Sequence, residues 1–169
     1  MKKTTNLTQN ALIAAIYAVL TLGFPVISYG AIQFRVSEAL CLLPALYPNS
    51  FIGLSVGCFI SNILGAALGV NPLGFIDSVV GTSATLISSL LLVFLSKKIK
   101  KPFLKAVLFP LPTCLFNAVF VGAELTLISE VSAVGFWSFT GSIFLSEAVV
   151  CYTLGNLLLF LIKDKFIKR

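Results

Sequence analysis

The chain has 169 residues, 58% of them hydrophobic and 11% charged, with a mean hydropathy of +1.04. Too few polar side chains exist to cover a water-soluble domain, so the composition excludes one and assigns the chain to the membrane. A formal charge of +6 is explained by membrane topology rather than by nucleic acid, because the basic residues are clustered. Six spans of about 20 residues would use roughly 120 residues, so a single all-α, six-helix membrane domain over 1–169 is expected, with short connections.

Helix one is expected over 8–22, ended by Gly23, Pro25 and Gly30. Lys2 and Lys3 are followed by polar Thr4, Thr5 and Asn6, and no cleavage site follows the first apolar run, so this helix is expected to be retained. It carries two A-x-x-x-A patterns, Ala11/Ala15 and Ala14/Ala18, a smooth surface that lets another helix approach closely. That surface either packs inside the bundle or docks a separate protein.

Helix two, 35–47, contains Pro44 and stops at Pro48. Thirteen residues rise only about 20 Å, so it either spans with help from its flanks or dips into the bundle. Helix three, 51–68, places Gly53, Gly57, Ser61, Gly65 and Gly69 at four-residue intervals, a small-residue stripe for close packing. Asn62 lies beside the stripe, as a site residue or as an interhelical hydrogen-bonding group. Helix four, 73–96, has Asp77 near its start and four lysines after its end. Helix five, 104–128, contains Asn117 and Glu124, and Pro110 and Pro112 predict a kink or a late start. Helix six, 137–162, opens on Trp137, contains Glu147 and Asn156, and leads into a basic tail.

Eleven of the twelve basic residues fall at the N-terminus, in 97–105 and in 163–169. With six spans these clusters share one side, and the positive-inside rule places both termini and the 97–105 loop in the cytoplasm of a multi-pass cell-membrane protein. The exception is Arg35, which with Glu38 forms an i, i+3 pair at the outer start of helix two. The pair is either a local ion pair at the membrane boundary or part of a site, and ionisable groups inside a membrane are costly enough to favour the latter. Asp77 and Glu124 fall in the same outer half, and Glu147 lies about 15 Å below Trp137 at the helical rise.

Together these residues predict a pocket open to the outside. Arg35 supplies a guanidinium, Glu38, Asp77, Glu124 and Glu147 supply carboxylates, Asn62 and Asn117 both donate and accept, and Trp137, Tyr29 or Phe34 offers an aromatic face. A planar heterocycle rich in donors suits that set. The four cysteines, 17, 56 and 37 residues apart, lack metal or redox spacing, and no histidine is present. Neither a P-loop nor a paired nucleophile and base occurs, so nothing supports an enzyme, no catalytic residue, metal or cofactor is assigned to the chain, and transport would need a gradient, passive flow or an ATPase supplied by other subunits.

Residues 32–40, I-Q-F-R-V-S-E-A-L, followed by L-L-P at 42–44, resemble the QueT family of queuosine-precursor transporters, membrane S components of energy-coupling factor importers. The resemblance implies a subunit that captures a 7-deazaguanine such as queuine or a pre-queuosine base from outside. It also implies assembly with a transmembrane coupling subunit and two cytosolic ATPases that use ATP, with Ala11, Ala14, Ala15 and Ala18 contacting the coupling subunit. N–H donors on a guanine-type edge suit carboxylate acceptors. Two other readings stay open: an S component for another vitamin, and a proton-coupled carrier with Asp77, Glu124 and Glu147 as its relay.

Overall fold

The computed structural model describes residues 2–30 and 32–167, so Met1 and Ala31, and Lys168 and Arg169 of the terminal basic cluster, lie outside the described residues. Every regular element among the described residues is helical. In chain order they are α1 (Lys2–Gly23), α2 (Pro25–Ser28), a 3-10 helix (Val36–Ala45), α3 (Ser50–Ala67), α4 (Ile76–Lys98), α5 (Pro102–Leu108), α6 (Leu111–Ile128), α7 (Ala133–Val150), a π turn (Cys151–Gly155) and α8 (Asn156–Ile167). Five stretches are long and apolar enough to cross a membrane: Thr4–Gly23, Ser50–Ala67, Ile76–Lys98, Pro102–Ile128 and Ala133–Lys163. The chain is a multi-pass helical membrane protein.

Helix two is the element that departs from the expected form. It is a 3-10 helix of ten residues, which at about 2 Å per residue extends roughly 20 Å, short by itself of a hydrocarbon core of about 30 Å. With its flanking connections it carries the chain back from the end of α1 to the start of α3, where Gly53 meets Asn10. The long helices follow one another as neighbours in the order α1, α3, α4, α6, α7, while the 3-10 helix touches α1, α3, α4, α7, α8 and the π turn. It is therefore an internal post around which the spans are arranged.

The small-residue stripe of α3 explains the closest of these contacts. A Cβ at Gly53 would lie 2.6 Å from the Asn10 carbonyl oxygen, and one at Gly57 would lie 2.9 Å from that of Ala14. Only glycine lets the two backbones meet at that distance. The stripe ends in a left-handed cap at Gly69, φ +70°, where Gly69 N–H donates to Ala66 O (3.0 Å) and Val70 N–H to Gly65 O (2.9 Å). That turn sends the chain back into α4.

Pro110 and Pro112 split the expected fifth helix into α5 and α6. Pro110 has no N–H for the carbonyl four residues earlier, and Asn156 Nδ2 donates to that Ala106 oxygen instead (3.0 Å). Tyr152 Oη does the same for Val107 O (2.7 Å). In the sixth helix, the π turn at Cys151–Gly155 interrupts an otherwise continuous run.

Polar residues face inward and apolar ones outward. On α4 the buried residues include Asp77, Ser78, Thr85, Ser88 and Ser89, whereas Val79, Leu90 and Phe94 are exposed. Lipid reverses the usual preference, since it solvates the apolar face and cannot satisfy the polar one. All four cysteines are buried and free, as small core residues.

Candidate functional site

The connections at the lysine-poor end bring the start of the 3-10 helix, the end of α3 and the start of α4 together. Arg35, buried to 2% exposure, sits just before the 3-10 helix and points its guanidinium towards α4, where Nη2 is 3.5 Å from Asp77 Oδ2. Its Nε donates to Ser28 O (3.1 Å), and its guanidinium carbon stands 5.3 Å from the centre of the Tyr29 ring, within cation–π range. The Tyr29 hydroxyl in turn donates to Ser61 O on α3 (2.8 Å). Burial, opposed by Arg35, pushes that phenol up to about 12, so it stays a neutral donor at physiological pH.

Asp77 is held from two further sides. Asn71 Nδ2 donates to Asp77 Oδ2 (2.8 Å) while its own Oδ1 accepts from Leu73 N–H (3.0 Å), and Asn62 Nδ2 donates to the Asp77 backbone oxygen (2.9 Å). Asn62 thus makes the interhelical bond anticipated for it, and its Oδ1 remains without a protein partner.

Glu38, fully buried, does not pair with Arg35 three residues earlier. Its Oε1 accepts the Tyr17 hydroxyl of α1 in a short hydrogen bond, and its backbone oxygen lies 3.7 Å from Cys151 Sγ in the π turn. The same sulfur is 4.0 Å from Glu147 Oε2, so the π turn brings Glu38 and Glu147 to one place. Asn117 of α6 is the amide beside Glu147.

The structure therefore gathers Arg35, Glu38, Asn62 and Asp77, with Glu147 and Asn117 adjoining through Cys151. Glu124 is buried in the wall of a separate apolar groove. Trp137 is 71% exposed, its ring edge-on to Phe136 at 5.1 Å, and Phe34 is also exposed; Tyr29 is the aromatic face that joins the cluster. Ala14 and Ala18 are buried, and Ala14 faces Gly57, whereas Ala11 and Ala15 are exposed. The two A-x-x-x-A patterns thus divide between an internal seam and an outer surface.

An open outer pocket was expected, yet neither the groove between α4 and α6 nor the groove between α5 and α8 is lined by Arg35, Glu38 or Asp77. The connecting residues enclose them: Tyr29 is tied to α3, and Gln33 N–H donates to Ser146 Oγ on α7 (3.3 Å). Gln33 Nε2, Glu38 Oε2, Asn62 Oδ1 and Asp77 Oδ1 are all buried without a hydrogen-bond partner in the protein. Buried polar atoms are paired in the great majority of cases, so this group of free valences makes the cluster the candidate polar site.

Tyr17, Gln33 and Asn71 were missed from the sequence. For Tyr17 a signal existed: Asn10, Ala14, Tyr17 and Thr21 recur at helical spacing along α1 and are all buried, a small and polar stripe in an apolar helix. For Gln33 and Asn71, both in connections, no periodicity could have singled them out.

The chain is 36% identical over 103 residues to the "Queuosine precursor transporter QueT" of Lactococcus lactis subsp. cremoris, an overlap that takes in 60% of this chain and 57% of that relative. The chain thus spans less than two thirds of the curated relative it matches. No solved structure matches. A family profile described as QueT transporter covers residues 7–164, which includes the 3-10 helix, Arg35, Glu38 and every element that supplies a residue to the cluster; the chain belongs to the QueT transporter family.

Proposed function

We propose that the chain is a substrate-binding membrane subunit that takes up a queuosine precursor, a 7-deazaguanine base, through the enclosed polar cluster. The observation that carries this reading is the set of unpartnered acceptors Glu38 Oε2, Asn62 Oδ1 and Asp77 Oδ1 gathered around Arg35. A guanine-type edge presents an N–H and an amino group side by side next to a carbonyl, and so asks for acceptors with a donor beside them. The carboxylates accept the N–H groups, Arg35 Nη2 or Gln33 Nε2 donates to the carbonyl, and the Tyr29 ring offers a face for stacking. The relative's name supports the choice of ligand.

The energy source belongs to the same proposal. The chain works with a transmembrane coupling subunit and two cytosolic ATPases, with its termini and the lysine-rich loop in the cytoplasm. Ala11 and Ala15, on the exposed face of α1, are available to a coupling subunit, whereas Ala14 holds α1 against α3.

Calorimetric titration of the purified protein with 7-deazaguanines, guanine and a panel of vitamins tests the ligand assignment. Binding of a vitamin and of no deazaguanine would replace it with an S component of another specificity. Uptake into vesicles tests the energy source: accumulation requires the ATPase subunits and ATP, and accumulation driven by a proton gradient alone would establish the carrier reading.

A further inference from the structure

Among the described residues four buried carboxyl groups, Glu38, Asp77, Glu124 and Glu147, are accompanied by one buried cation, Arg35. Their local partners differ. Asp77 has Arg35 and Asn71, Glu38 has Tyr17, and Glu147 has Cys151 and Asn117 near it. Glu124 is 3% exposed, and neither of its carboxyl oxygens has a hydrogen-bond partner.

Its surroundings make that isolation informative. Glu124 lies in the wall of a groove of about 400 Å³ between α4 and α6, the rest of which is apolar, with Ile76, Val80, Phe120 and Leu127 among its lining. The groove lining includes Ile76, the residue before Asp77 on α4, and the polar cluster lies within electrostatic range of Glu124. The charged neighbours of Glu124 are Asp77 and Arg35, and Arg35 is already engaged at 3.5 Å by Asp77. A carboxylate in such a place is stabilised by a cation or by several donors, and the protein provides neither. A neutral apolar arm leaves this carboxyl unpaired, whereas a cation brought beside it supplies the missing partner and holds it as a carboxylate.

We propose that Glu124 receives a protonated amine carried on an arm of the ligand, so that the chain selects cationic 7-substituted 7-deazaguanines over neutral ones. This inference rests on the proposed 7-deazaguanine reading and deepens it: the heterocycle is held in the Arg35–Asp77 cluster and its arm runs along the groove between α4 and α6. Because the groove wall is apolar, the ammonium–carboxylate attraction acts with little screening by water.

Two probe bases test it, 7-aminomethyl-7-deazaguanine and 7-cyano-7-deazaguanine, which share the ring and differ in the charge of the arm. Calorimetry on the detergent-purified protein is expected to give a preference of about 30-fold or more for the aminomethyl base, the scale of one desolvated charge pair. Glu124→Gln is expected to abolish that preference while leaving the cyano base bound as before. Val80→Phe, which fills the groove from the α4 side without altering a charge, is expected to weaken the aminomethyl base about tenfold and to spare the cyano base, a check that stands even if Glu124→Gln fails to fold. Equal binding of both bases by the unaltered protein, or a preference that is undiminished in either variant, overturns the role of Glu124 alone. Failure of both bases to bind refutes the 7-deazaguanine reading, and this inference with it.

Discussion

The ion pair between Arg35 and Asp77 offers the sharpest test of how the site is held. Both side chains are almost fully buried and their charged atoms are 3.5 Å apart, so Asp77→Asn strands a guanidinium whose other contacts are Ser28 O and the Tyr29 face. Removing one partner of a buried pair costs about 3–5 kcal/mol. At about 2–4 °C per kcal/mol for a chain of this size, Tm falls by about 6–20 °C. Arg35→Gln strands Asp77 instead, which keeps its bond from Asn71 and loses less. In the double variant neither charge remains, and the loss is expected to be smaller than the sum of the two by about 1–3 kcal/mol. The matching cycle between Arg35 and Glu38 is expected to show weaker coupling, because Glu38 is bound by Tyr17 and not by Arg35. Thermal unfolding in detergent, followed by circular dichroism, measures both cycles. Additive losses for Arg35 and Asp77, or a stronger coupling of Arg35 to Glu38, would refute the pairing.

Gly53→Ala places a methyl 2.6 Å from the Asn10 carbonyl and is expected to push α1 from α3 at a cost of about 1–3 kcal/mol; an unchanged Tm would contradict the close packing. Glu130 adopts φ +51° just after α6, in the left-handed region that costs a side chain roughly 1 kcal/mol, so Glu130→Gly is expected to raise stability by up to about that amount, read as a higher Tm. Asn156→Ala removes the donor to Ala106 O and is expected to cost about 1 kcal/mol, with faster hydrogen exchange concentrated in α5; a uniform change across the bundle would locate its effect elsewhere. Ala15→Trp, on the exposed face of α1, is expected to block assembly with a coupling subunit while leaving ligand affinity intact, whereas Ala14→Trp is expected to unfold the α1–α3 seam. Co-purification and calorimetry separate the two outcomes.

Composition and hydropathy alone determined that the chain is a helical membrane protein, because an excess of apolar side chains is incompatible with water whatever the topology. Glycines at four-residue intervals likewise announced the α3 packing face, and the prolines at 110 and 112 announced the break in helix five, since both are local backbone effects that need no knowledge of neighbours. Arg35, Glu38, Asn62 and Asp77 stood out in the sequence through the cost of polar groups in lipid.

Which residues meet was decided by tertiary structure. Spacing alone left open whether Arg35 paired with Glu38, three residues away; the fold turns Arg35 to Asp77 on α4 and Glu38 to Tyr17 on α1. It separates Ala11 and Ala15 from Ala14 and Ala18, and leaves Trp137 outside the cluster. The physical reason is that helical periodicity specifies which residues share a face, whereas the neighbour of that face depends on how the whole set of spans packs around the short 3-10 helix, a property of long-range contacts that no local pattern carries.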